Sequence, residues 1–232
     1  MKVSALIPSR VTECDTWRGT LQQWVYQRLM ESGLVDEIIL ADSDANESFN
    51  RAAARNHAAE KATGDIFVVC DADTITRYEY LAKAIEDVRY HGTWAFPYGR
   101  YYNLTKTATI ERLWSPTSDD LERPELEDIE HDLESYGGMY VMSRQAWDTV
   151  GGYPTAFRGW GYEDNSFALA AETFLGKPVR NSDGFVCHLW HYAPESVRFD
   201  QPQIEYNRRI FRKFEDALGE KKLMRLLCQK YQ

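Results

Sequence analysis

Residues 66–73 read IFVVCDAD, an apolar run that leads directly into two carboxylates separated by one residue. A short apolar run rich in β-branched and aromatic residues predicts a buried strand. Asp71 and Asp73 then lie at the carboxyl edge of a sheet, where open α/β sheets bind ligands. Carboxylates there suit a hard divalent cation, which commonly accompanies a substrate phosphate. The alternative for Asp73 is the ordinary N-cap of a helix that follows it.

The sequence around this run alternates between strand and helix patterns. Predicted strands cover residues 3–7, 37–41 and 66–70, and predicted helices cover 16–30, 48–63 and 78–91, with Ser48 as a candidate N-cap. This alternation predicts βαβ units and an α/β fold with a mostly parallel central sheet flanked by helices. The strand ends then gather several polar side chains: Ser9, Arg10, Asp42, Asp44, Asp71 and Asp73.

The second half of the chain is less regular. Residues 94–102 are β-like, 136–143 and 184–190 are predicted strands, and 144–150, 165–175, 203–218 and the basic C-terminal stretch are predicted helices. Residues 116–134 hold nine acidic residues and two prolines. Their lack of periodicity favours a solvated loop, with a lid over the suspected site as the alternative.

Composition excludes several classes of protein. The chain has 232 residues and a net charge of −9, which argues against a broad surface for a phosphate backbone. Mean hydropathy is −0.53, and no apolar run is long enough to span a bilayer. Cys14, Cys70, Cys187 and Cys228 show no zinc or disulfide spacing. The expected setting is cytoplasmic, in a bacterium or encoded by a virus.

Two histidines end the last apolar strand. His188 and His191 are close enough in sequence for one of them to complete an oxygen-rich cation site, and one imidazole suits Mn²⁺ better than Mg²⁺. His188 is the first choice for this ligand and His191 the second. The alternative for either is a hydrogen-bonded histidine packed on Trp190.

Residues 159–164 read GWGYED. Glycines on both sides of Trp160 permit a tight turn that leaves the indole edge free. Glu163 and Asp164 could be ordinary first-turn acids of a helix, but that explanation leaves the glycines unexplained. A sugar ring stacks well on an indole, and a neighbouring carboxylate can accept a hydroxyl proton. One acid would be the general base and the other would orient the acceptor.

Together these motifs resemble a known family. The order Pro8-Ser9-Arg10, Phe49-Asn50-Arg51-Ala52 and Asp71-Ala72-Asp73 resembles the donor half of GT-A glycosyltransferases. The stretches from Gly137-Gly138 through Gly151-Gly152 to Trp160-Gly161-Tyr162-Glu163-Asp164 resemble their acceptor half. The resemblance is strongest to the β-1,4-galactosyltransferase, polypeptide N-acetylgalactosaminyltransferase and chondroitin polymerase group, and it spans about residues 1–191.

The resemblance implies a role for each matching residue. Donor binding falls to Pro8, Arg10, Asp42, Arg51, Asp71, Ala72 and Asp73. Metal binding falls to Asp73 and Asp71 with His188 or His191, and acceptor binding falls to Trp160, Gly138 and Tyr162. Asp164 is the implied base, with Glu163 as its neighbour. The expected domain spans residues 1–200, as a nucleotide-sugar half (1–105) and a catalytic half (106–200), and residues 201–232 are expected to form a helical extension packed on it.

The implied reaction is metal-dependent transfer of a sugar from a nucleotide sugar, with UDP as the expected nucleotide and Mn²⁺ or Mg²⁺ as the cofactor. The acidic pair favours inversion, and retention is the alternative. The acceptor is a glycan, a protein, a lipid-linked sugar or a modified nucleobase. A non-catalytic sugar-binding module would need neither the metal nor the base. A sugar nucleotidyltransferase would carry a glycine-rich loop where this chain has Pro8-Ser9-Arg10-Val11. The chain has Asn165 where a third acid is common. It is expected to lack the membrane anchor of the Golgi enzymes.

Overall fold

The computed structural model of the protein describes residues 1–10, 15–44, 47–114, 121–133, 135–192 and 201–232. In chain order, the strands are β1 (Val3–Pro8), β2 (Glu37–Ala41), β3 (Ile66–Cys70), β4 (Thr74–Thr76), β5 (Trp94–Phe96), β6 (Arg100–Leu104), β7 (Ile129–Leu133), β8 (Met139–Ser143), β9 (Val179–Arg180) and β10 (Phe185–His188). The helices are α1 (Thr16–Glu31), α2 (Arg51–Lys61), α3 (Tyr78–His91), α4 (Lys106–Trp114), α5 (Arg144–Val150), α6 (Glu163–Leu175), α7 (Gln201–Asp216) and α8 (Lys221–Tyr231).

The central sheet has the strand order β2-β1-β3-β8-β5-β9. β1 runs parallel to both of its neighbours, and β5 runs parallel to β9. β8 is antiparallel to β3 and β5. Every residue of β3 is buried, as its continuous apolar sequence requires when both faces of a sheet are covered. The predicted α/β fold with a mostly parallel sheet is therefore confirmed, with β8 as the antiparallel exception.

A second sheet, in the order β4-β10-β6-β7, forms the other part of the core. The segment predicted as one β-like stretch at 94–102 divides between the two sheets as β5 and β6. In this second sheet β10 lies antiparallel to β4, with His188 opposite Thr74. The pairing brings the end of β10 to the turn that follows β3, although more than a hundred residues separate them in sequence.

Several element boundaries differ from the prediction. α2 begins at Arg51 and not at Ser48, because Asn50 is the N-cap and its Oδ1 accepts a hydrogen bond from Ala53 N at 3.0 Å. α6 begins two residues earlier than predicted, at Glu163. β8 begins at Met139 because the chain turns at Gly138, which has a φ of 85°.

The acidic segment at 116–134 is not a loop throughout. Residues 126–128 form a 3-10 turn and 129–133 form β7, which pairs with β6. The expectation of a solvated loop is therefore wrong for 129–133, because pairing with β6 satisfies the backbone there. Residues 116–120 and 134 lie outside the described residues, and the lid stays a prediction.

The C-terminal helices pack on the rest of the chain. Ala156 N donates to Tyr231 O at 3.0 Å, and Arg225 Nη1 donates to Val150 O at 3.0 Å. The division into a domain of residues 1–200 and a helical extension stays a prediction. Within the described ranges, none of the helices is both long and apolar enough to cross a membrane.

The cysteines that the structure describes carry no disulfide. Cys70, Cys187 and Cys228 are buried free thiols, and Cys14 lies outside the described residues. Burial raises the pKa of the Cys187 thiol to about 12, so this thiol is protonated at neutral pH.

Candidate active site

The turn after β3 carries the two carboxylates that the sequence singled out. Asp71 N donates to Gly138 O at 2.8 Å, which ties the turn to the start of β8. Asp73 precedes β4 and not a helix, so the alternative of a helix N-cap is wrong. Leu189 N donates to Asp73 O at 2.8 Å, so β10 and the turn are held together.

Asp73, His188 and His191 form a cluster of possible metal ligands. His188 Nε2 lies 3.5 Å from Asp73 Oδ1, and His191 Nε2 lies 3.3 Å from Asp73 Oδ2. Their ligand atoms all lie within 4.8 Å of one another. One carboxylate and two imidazoles are a donor set that suits Mn²⁺ and similar divalent ions. Asp71 does not belong to this cluster, although it lies in the same turn as Asp73.

Charge within this cluster alters all three pKa values. Burial opposes ionisation of Asp73, but the two imidazoles and Arg18 outweigh it, so the pKa of Asp73 is lowered. Burial lowers the pKa of His188, but Asp73 more than compensates, so it is raised overall. The pKa of His191 is lowered, by burial first and then by Arg18 and His188, against the effect of Asp73. Asp73 is therefore ionised and ready to hold a cation.

Arg18 distinguishes the two histidines. Its Nη2 lies 3.0 Å from His191 Nδ1. The Tyr192 carbonyl oxygen lies 3.3 Å from the same Nδ1, so this nitrogen has both a donor and an acceptor beside it. The positive charge of Arg18 in contact with His191 opposes a second cation there, so this geometry favours His188 as the imidazole ligand. Arg18 was not among the predicted site residues, since nothing in its local sequence indicates a contact 173 residues away.

Arg55 lies at the centre of the site, although it was not among the predicted site residues. Its Nη2 donates to Asp71 Oδ1 at 2.6 Å and its Nη1 donates to Asp164 Oδ1 at 2.7 Å. The Arg55 side chain is only 1% exposed, and its guanidinium lies 4.8 Å from the centre of the Tyr153 ring. One signal could have found it, because Arg55 is four residues after Arg51 and so lies on the same face of α2.

Glu163 and Asp164 occupy the first turn of α6, which was the alternative interpretation of this pair, and they precede the predicted start of the helix. Glu163 is buried and pairs with Arg51 Nη2, and Asp164 accepts a hydrogen bond from the Tyr153 hydroxyl at 3.1 Å. Burial raises the pKa of Asp164 to about 6, helped by the charges of Glu163 and Asp71 and opposed by Arg55. A carboxylate with this pKa is ionised at neutral pH and is basic enough to accept a proton.

The predicted donor-binding residues divide into two groups. At the ends of β1 and β2, Arg10 Nε lies 2.9 and 2.8 Å from the two carboxylate oxygens of Asp42, and its guanidinium lies 5.4 Å from the centre of the Phe49 ring. Pro8 ends β1, and Ala72 lies between the two turn aspartates. Arg51 instead faces the catalytic half through its contact with Glu163.

The Trp160 turn has the geometry predicted from its glycines. Gly159 and Gly161 have φ angles of 58° and 103°, and the Trp160 side chain is left half exposed. Tyr162 has a φ of 74°, which is rare for a residue with a side chain. Gly138 leaves room for the ring of Tyr101, since a Cβ at this position would lie 2.5 Å from that ring. The Tyr101 ring in turn stacks on His188.

A cavity of about 230 Å³ adjoins the imidazoles. Its walls include Trp190, Tyr192, Glu130 and His131 together with His188 and His191. A larger cavity of about 390 Å³ lies between α2 and α5 and contains none of the predicted site residues. The smaller cavity is therefore the space next to the suspected metal cluster.

Comparison with known proteins identifies the fold. A model described as glycosyl transferase family 2 matches residues 42–147, and one described as the N-terminal domain of galactosyltransferase matches residues 126–171. The catalytic domain of Drosophila β-1,4-galactosyltransferase 7, solved with xylobiose, superposes with a TM-score of 0.55 at 17% identity. The alignment covers 89% of this chain and 79% of that one. The chain has the GT-A glycosyltransferase fold.

Other GT-A structures agree with this identification. A mutant of the same Drosophila enzyme, solved with manganese, UDP-Gal and xylobiose, has a TM-score of 0.54 at 15% identity and covers 90% of this chain and 80% of its own. Glucosyl-3-phosphoglycerate synthase from Mycobacterium tuberculosis, with Mn²⁺, UDP and glucosyl-3-phosphoglycerate, has a TM-score of 0.52 at 17% identity and covers 94% and 80%. No curated protein sequence matches the chain. The predicted resemblance to the β-1,4-galactosyltransferase group is confirmed, and the family matches support a transferase.

Proposed function

We propose that this protein is a metal-dependent glycosyltransferase that moves a sugar from a UDP-sugar to an acceptor hydroxyl with inversion. One observation carries the proposal. The turn after β3 holds both Asp73, which belongs to the cluster of Asp73, His188 and His191, and Asp71, which Arg55 connects to the partly buried carboxylate of Asp164. A cation site and a base that are connected through one turn are what a displacement on a nucleotide sugar requires.

The donor is held through its diphosphate. Asp73 and His188 are the proposed metal ligands, with Asp71 and His191 beside them. A divalent cation bound there would supply Lewis-acid stabilisation of the charge that develops on the leaving diphosphate. Mn²⁺ and UDP are supported by the related structures that contain them. Arg10 and Asp42, at the ends of β1 and β2, are proposed to lie near the nucleotide.

Asp164 is the proposed general base. Its carboxylate is fixed by Arg55 and by the Tyr153 hydroxyl, both on Oδ1, so Oδ2 remains to accept a proton. Glu163, held by Arg51, positions the first turn of α6 beside it. Trp160 offers an exposed indole on which an acceptor sugar can stack. The acceptor hydroxyl belongs to a glycan, a protein, a lipid-linked sugar or a modified nucleobase.

A cytoplasmic setting is also proposed, on the buried free thiols of the described cysteines.

The first test is release of free nucleoside diphosphate from a panel of nucleotide sugars, with Mn²⁺, Mg²⁺ or EDTA. We expect one UDP-sugar to be cleaved slowly with water as acceptor, only in the presence of metal, and not by Asp73→Ala. Cleavage that EDTA leaves unchanged would contradict the metal role. A failure of every donor to bind would contradict the function.

The two histidines should differ in their effect on metal binding. His188→Ala is expected to weaken Mn²⁺ binding by more than 100-fold, and His191→Ala by about 10-fold, the scale of a residue that only supports a ligand. Titration of free Mn²⁺ by electron paramagnetic resonance measures both dissociation constants. His91→Ala, on the exposed end of α3, is the matched control. A larger effect of His191→Ala than of His188→Ala would make His191 the metal ligand and His188 the supporting residue.

The rate of donor cleavage should depend on pH through Asp164. A base acts only when it is ionised, and burial raises the pKa of Asp164 to about 6. Turnover is therefore expected to be constant above about pH 7 and to fall about tenfold for each pH unit below pH 6. The profile is measured with donor and Mn²⁺ saturating at each pH, and the residual activity of Asp164→Asn should lack this inflection. A rate that is constant from pH 8 to pH 5 would count against Asp164 as the base.

A further inference from the structure

The buried amide of Asn207 holds the turn that carries Trp160. Asn207 lies on α7, outside the residues that the family models match, and it is 0% exposed. Its Oδ1 accepts from Arg158 N at 3.1 Å. Its Nδ2 donates to the carbonyl oxygens of Arg158, Trp160 and Gly161 at 2.8, 3.2 and 3.2 Å. A single side chain therefore binds three of the four residues from Arg158 to Gly161.

The same helix also holds the residue that follows this turn. Tyr162 occupies the N-cap position of α6 in the left-handed region, and its side chain makes no capping hydrogen bond. A residue with a side chain persists in that region only when its surroundings impose it. The Tyr162 ring stacks on Phe211 with ring centres 5.0 Å apart, and Arg208 Nε lies 3.3 Å from the Tyr162 hydroxyl oxygen. Asn207, Arg208 and Phe211 of α7 thus hold the chain in the left-handed conformation with which α6 begins.

This entry sets the direction of the first turn of α6. Glu163 and Asp164 follow Tyr162 directly, and they reach Arg51 and Arg55 only if the helix begins at this residue in this orientation. Relaxation of Tyr162 to an ordinary φ would rotate both carboxylates relative to α2. The contacts made by α7 therefore act on Asp164 without touching it.

We propose that Asn207 is a positioning residue, which fixes the Trp160 turn and, through Tyr162, the orientation of the Asp164 carboxylate. The part that concerns catalysis rests on the proposed function. The part that concerns the turn does not, and the two can be tested separately.

The test compares Asn207→Asp with the parent protein. Aspartate has the same shape but loses both N–H donors and sets a negative charge against three carbonyl oxygens. Hydrogen–deuterium exchange of the peptide covering residues 158–166 should become at least 10-fold faster, while exchange in β3 and β8 stays the same. Arg209→Ala, at an exposed position of the same helix, should change nothing. Unchanged exchange at 158–166 would overturn the proposal whatever the activity.

The kinetic measurement uses UDP-sugar cleavage with Mn²⁺. We expect Asn207→Asp to lower kcat at least 10-fold with the KM for the donor unchanged within twofold, since the donor half is not affected. A higher KM with an unchanged kcat would overturn the positioning role.

If the parent cleaves no donor, the proposed function fails and the exchange result still decides the role of Asn207. If Asn207→Asp does not fold, Asn207→Ala, which removes the side-chain amide without adding a charge, is tested by both measurements, and unchanged exchange at 158–166 would overturn the proposal.

Discussion

Asp164→Asn is expected to lower the kcat for UDP-sugar cleavage by about 10²–10⁴-fold, the usual contribution of a positioned general base. Asparagine keeps the shape of the side chain, and its oxygen can still accept from Arg55 and the Tyr153 hydroxyl. It cannot accept a proton from the attacking hydroxyl or water. The affinity for UDP in the presence of Mn²⁺ should stay within about twofold of the parent value, because the metal-ligand cluster of Asp73, His188 and His191 does not include Asp164.

Initial rates of diphosphate release and equilibrium UDP binding measure these two effects. Glu172→Gln makes the same chemical change two turns further along α6 and serves as the matched control. A parallel loss of binding and turnover in Asp164→Asn would assign the residue to the donor site. Full activity in that variant would remove it from the chemistry.

Arg55→Met is expected to reduce the free energy of unfolding by about 3–5 kcal/mol at pH 8, because breaking a buried ion pair leaves uncompensated charges. Here two carboxylates, Asp71 and Asp164, lose their shared partner. The loss should be smaller at pH 5, where Asp164 becomes protonated in the variant and no longer needs a cation. Arg55→Lys should lose less stability than Arg55→Met, since lysine keeps the positive charge. It should still be less stable than the parent, because a single ammonium group cannot donate to both carboxylates as the planar guanidinium does.

Urea unfolding at pH 8 and pH 5 measures the effect. Arg89→Met removes a surface arginine that pairs with Glu86 on α3, and it should change stability by no more than about 0.5 kcal/mol. An Arg55→Met protein as stable as its parent at pH 8 would show that the carboxylates do not depend on Arg55. A deficit that does not change between pH 8 and pH 5 would show that lost packing, and not charge, is the cause.

The parts of the site that the sequence predicted are those set by local pattern. The apolar run before Asp71 predicted β3 to the residue, because a continuous apolar segment that ends in polar residues has few other structures available. The glycines around Trp160 predicted a tight turn with an exposed indole, since positive φ angles favour glycine. His188 was found because it ends an apolar strand.

The parts that the sequence missed depend on contacts between distant segments. Arg55 looked like an ordinary helix residue, because its partner Asp164 is 109 positions away. Arg18 and Asn207 are similar cases, since each meets the site only after the sheets have formed. The second sheet was missed for the same reason, because β10 pairs with β4 and β6 from separate parts of the chain. The start of α2 was placed at Ser48 because serine and asparagine are both good N-caps, and local sequence alone does not decide between them.

The proposed reaction is a metal-dependent single displacement in which Asp164 removes the proton. Proton NMR of an α-linked UDP-sugar incubated with the protein and Mn²⁺ tests it most directly, since one spectrum shows both cleavage and the configuration of the freed sugar. We expect the β-anomer to appear first, to equilibrate later, and to be absent when EDTA is added. Release of the α-anomer, or release that EDTA does not prevent, would contradict it.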